Sequence, residues 1–503
     1  MSRPVRTLGK LSWAKRACPA FALCAATAMA LSAQTFTTLH WFHGPDGGKP
    51  SASLIQGTDG NLYGTTANGG ANGDYGTVFK ISPSGTLTTL YSFCPSLPCT
   101  DGADPAGSLL QATDGNLYGT TVEGGAYGGG EIFKITMSGT LTTLYSFCSG
   151  ECLDGGGLYA GLVQAPNGDF YGTTWSGGAS LCQFSFGPYP CGTIFKITPS
   201  GTLTTLHNFD GTDGALPEAG LIQATDGNFY GTTEYGGSGC VPDGCGTVFE
   251  ITPSGALTTL HSFDGTDGAN PSAGLVQTTD GDFYGTTVYG GARNAGTLFK
   301  IGPYGSLTTL YSFCAQSGCT DGATPIAGLI RAARGELYGT TYNGGAANAG
   351  TVFTMTPSGT LTTLHSFCGL SEDCAGGAAK PGAGLVQATD GEFYGAAALG
   401  GFGSRHLCVP EVGCGSVFRL SVGVGPFVEP QTTLGQVGAA VNILGTGLTG
   451  ATSVSFNGTP AVFEVKSASE ITTTVPAGAT TGKIEVMTPS GTLSSNVPFR
   501  VIQ

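Results

Sequence analysis

The chain has 503 residues, 87 of them glycine, with only 10% charged and a formal net charge of −14. An acidic surface poor in lysine and arginine argues against nucleic acid and anionic membrane as partners, because clustered positive charge recruits to both. Low charge with so much glycine would suit a disordered chain, but the aliphatic and aromatic residues recur periodically, which excludes that reading.

The chain opens with Arg3, Arg6, Lys10, Lys15 and Arg16, then a small-residue apolar stretch with cleavage options after Ala30 and Ala33. Residues 1–33 read as a secretory signal peptide, too short and too alanine-rich for a membrane span. Cys24 follows Phe-Ala-Leu, which is not a lipoprotein signal. Cleavage removes five positive charges and brings the net charge to about −19. No later run is long and apolar enough to span a bilayer, so no transmembrane segment is expected in the mature chain. A secreted, extracellular or cell-surface location follows, with the periplasm as an alternative.

Residues 34–422 repeat. The unit is clearest at residues 220–263, which read GLIQATDG, NFYGTT, GTVFEITPSG and ALTTLHSF in four segments. Its tyrosine recurs at Tyr63, Tyr118, Tyr171, Tyr230, Tyr284, Tyr338 and Tyr394, in steps of 53 to 59 residues. Each segment is rich in Thr, Val, Phe and Tyr and is bounded by Gly, Asp, Asn or Pro, which is strand chemistry punctuated by turns. Asp-Gly or Asn-Gly joins the first two segments in six of seven units, a tight-hairpin signal. No window shows a helical period outside the leader.

Four strands in each of seven units predict an all-β fold, a seven-bladed β-propeller with four-stranded blades. The ends agree. A lone fourth segment, TFTTLHWF, precedes the first unit, and the last unit lacks its own. The N-terminal strand is therefore expected to complete the last blade and close the ring, removing both open edges. An open solenoid would need capping units, and none is visible.

Fourteen cysteines follow the leader in seven close pairs: Cys94/Cys99, Cys148/Cys152, Cys182/Cys191, Cys240/Cys245, Cys314/Cys319, Cys368/Cys374 and Cys408/Cys414. In each loop both members are present or both absent, the pattern of local disulfides in an exported chain. Metal ligation is the rival reading. It lacks Cys-x-x-Cys spacing and a second pair to complete four ligands, so neither metal nor cofactor is expected.

Antiparallel strands put the first–second and third–fourth turns on one face, a regular floor. The other two connections form a variable crown carrying all the cysteine pairs, and function is sought there. The crown holds Trp175, Phe184, Phe186, Tyr189, Tyr235, Tyr289 and Tyr342, with Glu123 and Glu234 nearby. Flat aromatics beside acids suit stacking on sugar rings, while loop aromatics also pack locally under a cystine. His40, His207, His261 and His365 share a strand position with Tyr91, Tyr145 and Tyr311, which reads as structural. A first-segment glutamine recurs as Gln56, Gln111, Gln164, Gln223, Gln277 and Gln387, replaced once by Arg331. These side chains either ring a central channel, where Arg331 adds one positive point, or satisfy backbone groups between units.

The period stops before residues 423–503, where a Gly/Pro linker leads into short strands without cysteine, the pattern of a small β-sandwich. The segments VNILGTGL, TSVSFNGTPA, ITTTVPAGATTGKIEV and VPFRV resemble the IPT/TIG immunoglobulin-like family, which implies a spacer or adhesion module without catalytic residues. The lines GTVFKITPSGTLTTLYSF and GLVQATDGNFYGTT resemble the tandem GloVer (Gloeo-Verruco) repeat family of bacterial exported proteins, over about residues 36–420. That resemblance brings no activity and no site residues. Two functions remain: a non-catalytic binding or adhesion scaffold for polysaccharide or a cell-surface protein, and a propeller enzyme that cleaves glycans. An enzyme needs converging acids or bases that break the repeat. Only Arg331, Arg334, Glu123, Glu234 and His406 stand out, scattered over four units.

Overall fold

The computed structural model describes residues 34–368, 377–400 and 413–502. The leader, Cys374, Cys408 and His406 lie outside the described residues. Within the repeats the chain forms seven four-stranded sheets, every strand antiparallel to its neighbours. The fourth sheet is typical, with Ile222–Gln223, Phe229–Thr233, Thr247–Ile251 and Leu257–Ser262 in sequence order. The seventh combines Val386–Gln387, Phe393–Ala397 and Ser416–Ser421 with the N-terminal strand Thr35–Trp41, which pairs along Ser416–Ser421. Among the described residues the only helical piece is a 3-10 turn at Ser317–Cys319.

The YGTT motif explains how the sheets assemble. Its glycine faces a phenylalanine across the pair, as Gly231 faces Phe249, and a Cβ there would lie 2.6 Å from the ring. Its first threonine reaches the next sheet: Thr120, Thr173, Thr232 and Thr340 donate to the carbonyls of Ala160, Ala219, Ala273 and Ala383 at 2.8–3.1 Å. Its second threonine pairs with the opening threonine of the third strand, as in Thr233–Thr247 at 2.9 Å. The first strand of each sheet pairs over only two residues, fewer than the five to eight its sequence suggests. Its upstream half is engaged by the preceding sheet's threonine instead.

The first strand of each sheet contacts the first strand of its neighbour. The Ser53 N–H donates to Ser108 Oγ at 3.1 Å. A Cβ placed on Gly161, Gly220, Gly274, Gly328 or Gly384 would fall within 3.5 Å of a carbonyl oxygen of the preceding sheet. Gly384 also approaches the Ser53 hydroxyl, so the seventh sheet touches the first. The glutamines satisfy backbone groups between units. Gln111, Gln164, Gln277, Gln387 and Gln56 accept the N–H groups of Thr58, Thr113, Thr225, Ala333 and Thr389 in the preceding sheets, at 2.8–3.0 Å. Apolar clusters are likewise shared between neighbours: Tyr230, Val248 and Phe263 pack on Phe283 and Phe299, and Phe42, Tyr394 and Val417 pack on Leu62 and Phe79.

The tail is a sandwich of two four-stranded sheets, one carrying Ala440–Leu444 and Glu470–Thr474, the other Ser453–Phe456 and Ile484–Thr488. Val441, Ile443, Phe456, Ile471, Ile484 and Val486 fill its core. It does not stand apart as a spacer. Ser469 Oγ donates to the Thr58 carbonyl (2.7 Å), Thr446 meets Thr389 (2.9 Å), and Arg334 reaches the Gly423 carbonyl (3.2 Å). The tail therefore covers the floor turns around the centre.

Candidate functional site at the crown

The histidines of the fourth strand leave the list of candidates first. His40, His207 and His261 bond through Nε2 to Asp46, Asp213 and Asp267 at 2.7–2.8 Å. Tyr91, Tyr145 and Tyr311 donate to Asp101, Asp154 and Asp321 at 2.7–3.0 Å from the same position. Either ring ties the outermost strand to the loop aspartate. That partner was missed in the sequence, although the Asp-Gly following each of these strands was its signal. His365 instead stacks on Phe36, centroids 3.8 Å apart, and burial pushes its pKa down to about 4.

The crown end of each first strand begins with a residue held in two directions. Leu216 donates its N–H to the Cys191 carbonyl of the preceding sheet (2.8 Å) and accepts from the Glu234 N–H (3.2 Å). This double hold forces a left-handed backbone at Lys49, Asp104, Gly157, Leu216, Asn270, Thr324 and Lys380, with φ between 52° and 67°. Six of the seven carry a Cβ there, each storing about 1 kcal/mol of strain. The strain fixes the rim on which the following residues stand.

On that rim the third and fourth sheets depart from the repeat. Tyr159 and Glu218 occupy the position filled elsewhere by Ser51, Ala106, Ser272, Ile326 and Gly382. Trp175 and Glu234 follow the YGTT segments, where other sheets have Ala67, Val122, Val288, Tyr342 and Ala398. A hairpin inserted in the third unit, Leu181–Phe184 with Gly187–Pro190, is closed by Cys182–Cys191 and adds Tyr189. The Trp175 ring lies 5.7 Å from Tyr159 and 5.3 Å from Tyr189. Burial and the Glu218 charge push the Glu234 carboxyl up to about 7, with the Trp175 side chain pulling it down. Burial raises Glu218 as well, against a hydrogen bond with Ser272. Burial together with Asp104 and Glu218 raises the Tyr159 hydroxyl. The result is a half-buried cluster of one indole, two phenols and two carboxyls across two sheets. Sequence reading found Trp175, Tyr189 and Glu234. It passed over Tyr159 and Glu218, which lie in a segment that looked like part of a strand.

The remaining predicted residues spread out. Tyr235 packs against Phe184 and Phe186, centroids 5.6 and 6.3 Å away, so part of its surface serves the hairpin. Tyr289 is exposed and Glu123 stands exposed on the second sheet. Tyr342 lies under the Lys380 ammonium at 5.1 Å, and burial lowers that lysine's pKa. Arg331 belongs to the floor end of the sixth sheet; burial, and after it the Arg331 charge, lower the pKa of Lys483 in the tail. It does not join the crown.

The bridges Cys94–Cys99, Cys148–Cys152, Cys182–Cys191, Cys240–Cys245 and Cys314–Cys319 form as paired in the sequence. Cys368 and Cys414 are disulfide-bonded too. Among the described residues no group of three or more His, Cys, Asp or Glu gathers to hold a metal ion, and no helix is long and apolar enough to cross a membrane.

Fold and site together define an all-β repeat protein with an immunoglobulin-like tail and a sculpted loop face. Matches to the Gloeobacter/Verrucomicrobia repeat model cover residues 25–240, 158–332 and 238–423, and the chain belongs to that family. The IPT/TIG domain model matches residues 427–501. No curated protein matches the chain. A solved fungal alcohol oxidase of the AA5 family, in complex with copper, superposes with a TM-score of 0.51 at 12% identity, over 93% of this chain and 99% of its own. The periplasmic gluconolactonase of Pseudomonas aeruginosa gives 0.38 at 18% identity, over 63% of this chain and 85% of its own. A 6-phosphogluconolactonase-like protein of Bacteroides fragilis gives 0.40 at 19%, over 62% and 82%. The first likeness is one of fold alone, and the other two are too distant to carry an argument.

Proposed function

We propose that the chain is an exported binding scaffold in which residues 34–422 form a closed seven-bladed propeller and its crown takes polysaccharide. Closure is supported by the N-terminal strand in the seventh sheet and by the Gln56–Thr389 contact back to the first. The observation that carries the binding reading is the concentration of repeat-breaking residues at one place, Tyr159, Trp175, Tyr189, Glu218 and Glu234 on two adjacent sheets. Aromatic faces stack on sugar rings, and carboxyls accept from sugar hydroxyls. A glycan array on the mature protein tests it, with Trp175→Ala expected to weaken any hit by about tenfold. Absence of any glycan hit sinks this reading and leaves a cell-surface protein as the partner to seek.

One observation favours glycan cleavage as a second reading. Burial and the Glu218 charge raise the Glu234 carboxyl to about 7, so it can carry and release a proton near neutral pH, as a general acid must. Reducing-sugar release from a bound glycan, lost in Glu234→Gln with binding retained, is the outcome that reading requires.

A further inference from the structure

A second site lies at the opposite end of the same strands. Between the floor ends of the second to fifth sheets and the tail is a cavity of about 850 Å³, within the range of small-molecule sites at domain junctions. Its polar lining includes the amides of Gln111, Gln164, Gln223, Asn167, Gln431 and Gln436, set among Leu, Ile and Val side chains. Not one lining residue is ionisable.

One polar group in it is singular. Five of the central glutamines spend Oε1 on a turn N–H of the preceding sheet. For Gln223 that turn residue is Pro166, which has no N–H to give. The Gln223 Nε2 still donates to the Gly227 carbonyl at 3.1 Å, which fixes the amide. Its Oε1 is thus left without a hydrogen-bond partner among the described residues, on the wall of the cavity. A repeat that elsewhere satisfies this atom leaves it free only where the chamber is.

We infer that this chamber binds a short neutral saccharide, with Gln223 Oε1 accepting from a sugar hydroxyl. Uncharged amides and hydroxyls over an apolar wall match the alternating faces of a pyranose, and among the described residues no ionisable side chain lines the chamber to balance an ionised ligand.

The test is calorimetric titration of the full mature chain with cellobiose, maltose and N,N′-diacetylchitobiose at millimolar concentration, and with digalacturonate as the charged control. At least one neutral disaccharide is expected to bind and digalacturonate to fail. Pro166→Thr restores the donor found in the sibling sheets, so it keeps the fold and should weaken binding by about tenfold, the worth of one hydrogen bond. Gln223→Leu should do the same, while Val462→Ala, at an exposed position of the tail outside both sites, leaves it unchanged. The inference is overturned if no neutral disaccharide binds, if digalacturonate binds equally well, or if affinity survives both chamber variants. Loss of binding in Trp175→Ala alone would also overturn it and assign the sugar to the crown.

Discussion

Glu131 opens the third strand of the second sheet, where five other sheets have threonine and the seventh has Ser416. Its side chain is fully buried, and Thr143 Oγ1 donates to its carboxyl at 3.2 Å. Burial, only partly offset by that bond and reinforced by the Asp101 charge, raises its pKa from 4.5 to about 8. Between those values the folded chain keeps a proton that the unfolded chain releases. Its contribution to stability is therefore complete below pH 4.5 and is lost as the pH climbs through about 8. Glu131→Thr should flatten the stability–pH curve over that window and stabilise the chain at pH 8 by about 2–4 kcal/mol. Denaturant melts at pH 5 and pH 8 check it; a variant that keeps the wild-type slope sinks the argument. The departure was in plain view as GEIF among copies of GTVF. It was overlooked because a lone acid at a strand end reads as solvated until the Asp101–Gly102 loop is known to pack over it.

The YGTT element carries most of what joins one sheet to the next. Gly231→Ala would drive a methyl to 2.6 Å from the Phe249 ring, in a cluster with no room to relax, so a loss of about 2–3 kcal/mol is expected. Thr232→Val keeps the shape and removes only the bond to the Ala273 carbonyl, so it should cost about 1 kcal/mol. Equal costs for the two would show that packing and stitching had been misassigned. Elements of this kind were legible in part. Strand order, turn positions and the cystines follow from spacing within some ten residues, and the sequence displays such spacing directly. The partners of Thr232 and Gln277 lie 41 and 52 residues away in the neighbouring sheet. Periodicity marks these positions without naming what they touch. The docked tail was less legible still. Its floor contacts are made by Ser469, Thr446 and Gln431, uncharged residues with no pattern that marks an interface.

At the scale of the molecule the seventh sheet is the weak sector, because both ends of the repeat region meet in it. Its second strand reads YGAA where the others read YGTT, so Ala396 and Ala397 replace both stitching hydroxyls. The consequence is visible at Ser416, whose buried Oγ has no partner among the described residues, in the place where Thr247 meets Thr233. A buried hydroxyl left unpaired costs about 1–3 kcal/mol. What compensates is the N-terminal strand, paired along Ser416–Ser421 and packed through Phe36 against His365 and Phe418. Deleting residues 34–43 should then uncover the Ser416–Ser421 edge and give aggregation or a large drop in melting temperature. Ala397→Thr should act in the opposite sense. The sibling sheets accommodate threonine at that position, its hydroxyl would meet Ser416 Oγ, and stability should rise by about 1 kcal/mol. Made separately, the two changes distinguish a sheet that limits the whole repeat region from one that frays alone. If the seventh sheet limits the repeat region, Ala397→Thr raises the single melting transition of the intact chain, and the deletion abolishes that transition. If the deleted protein stays monomeric and melts unchanged, the terminal strand does not hold the repeats together, and the proposed closure loses its main support.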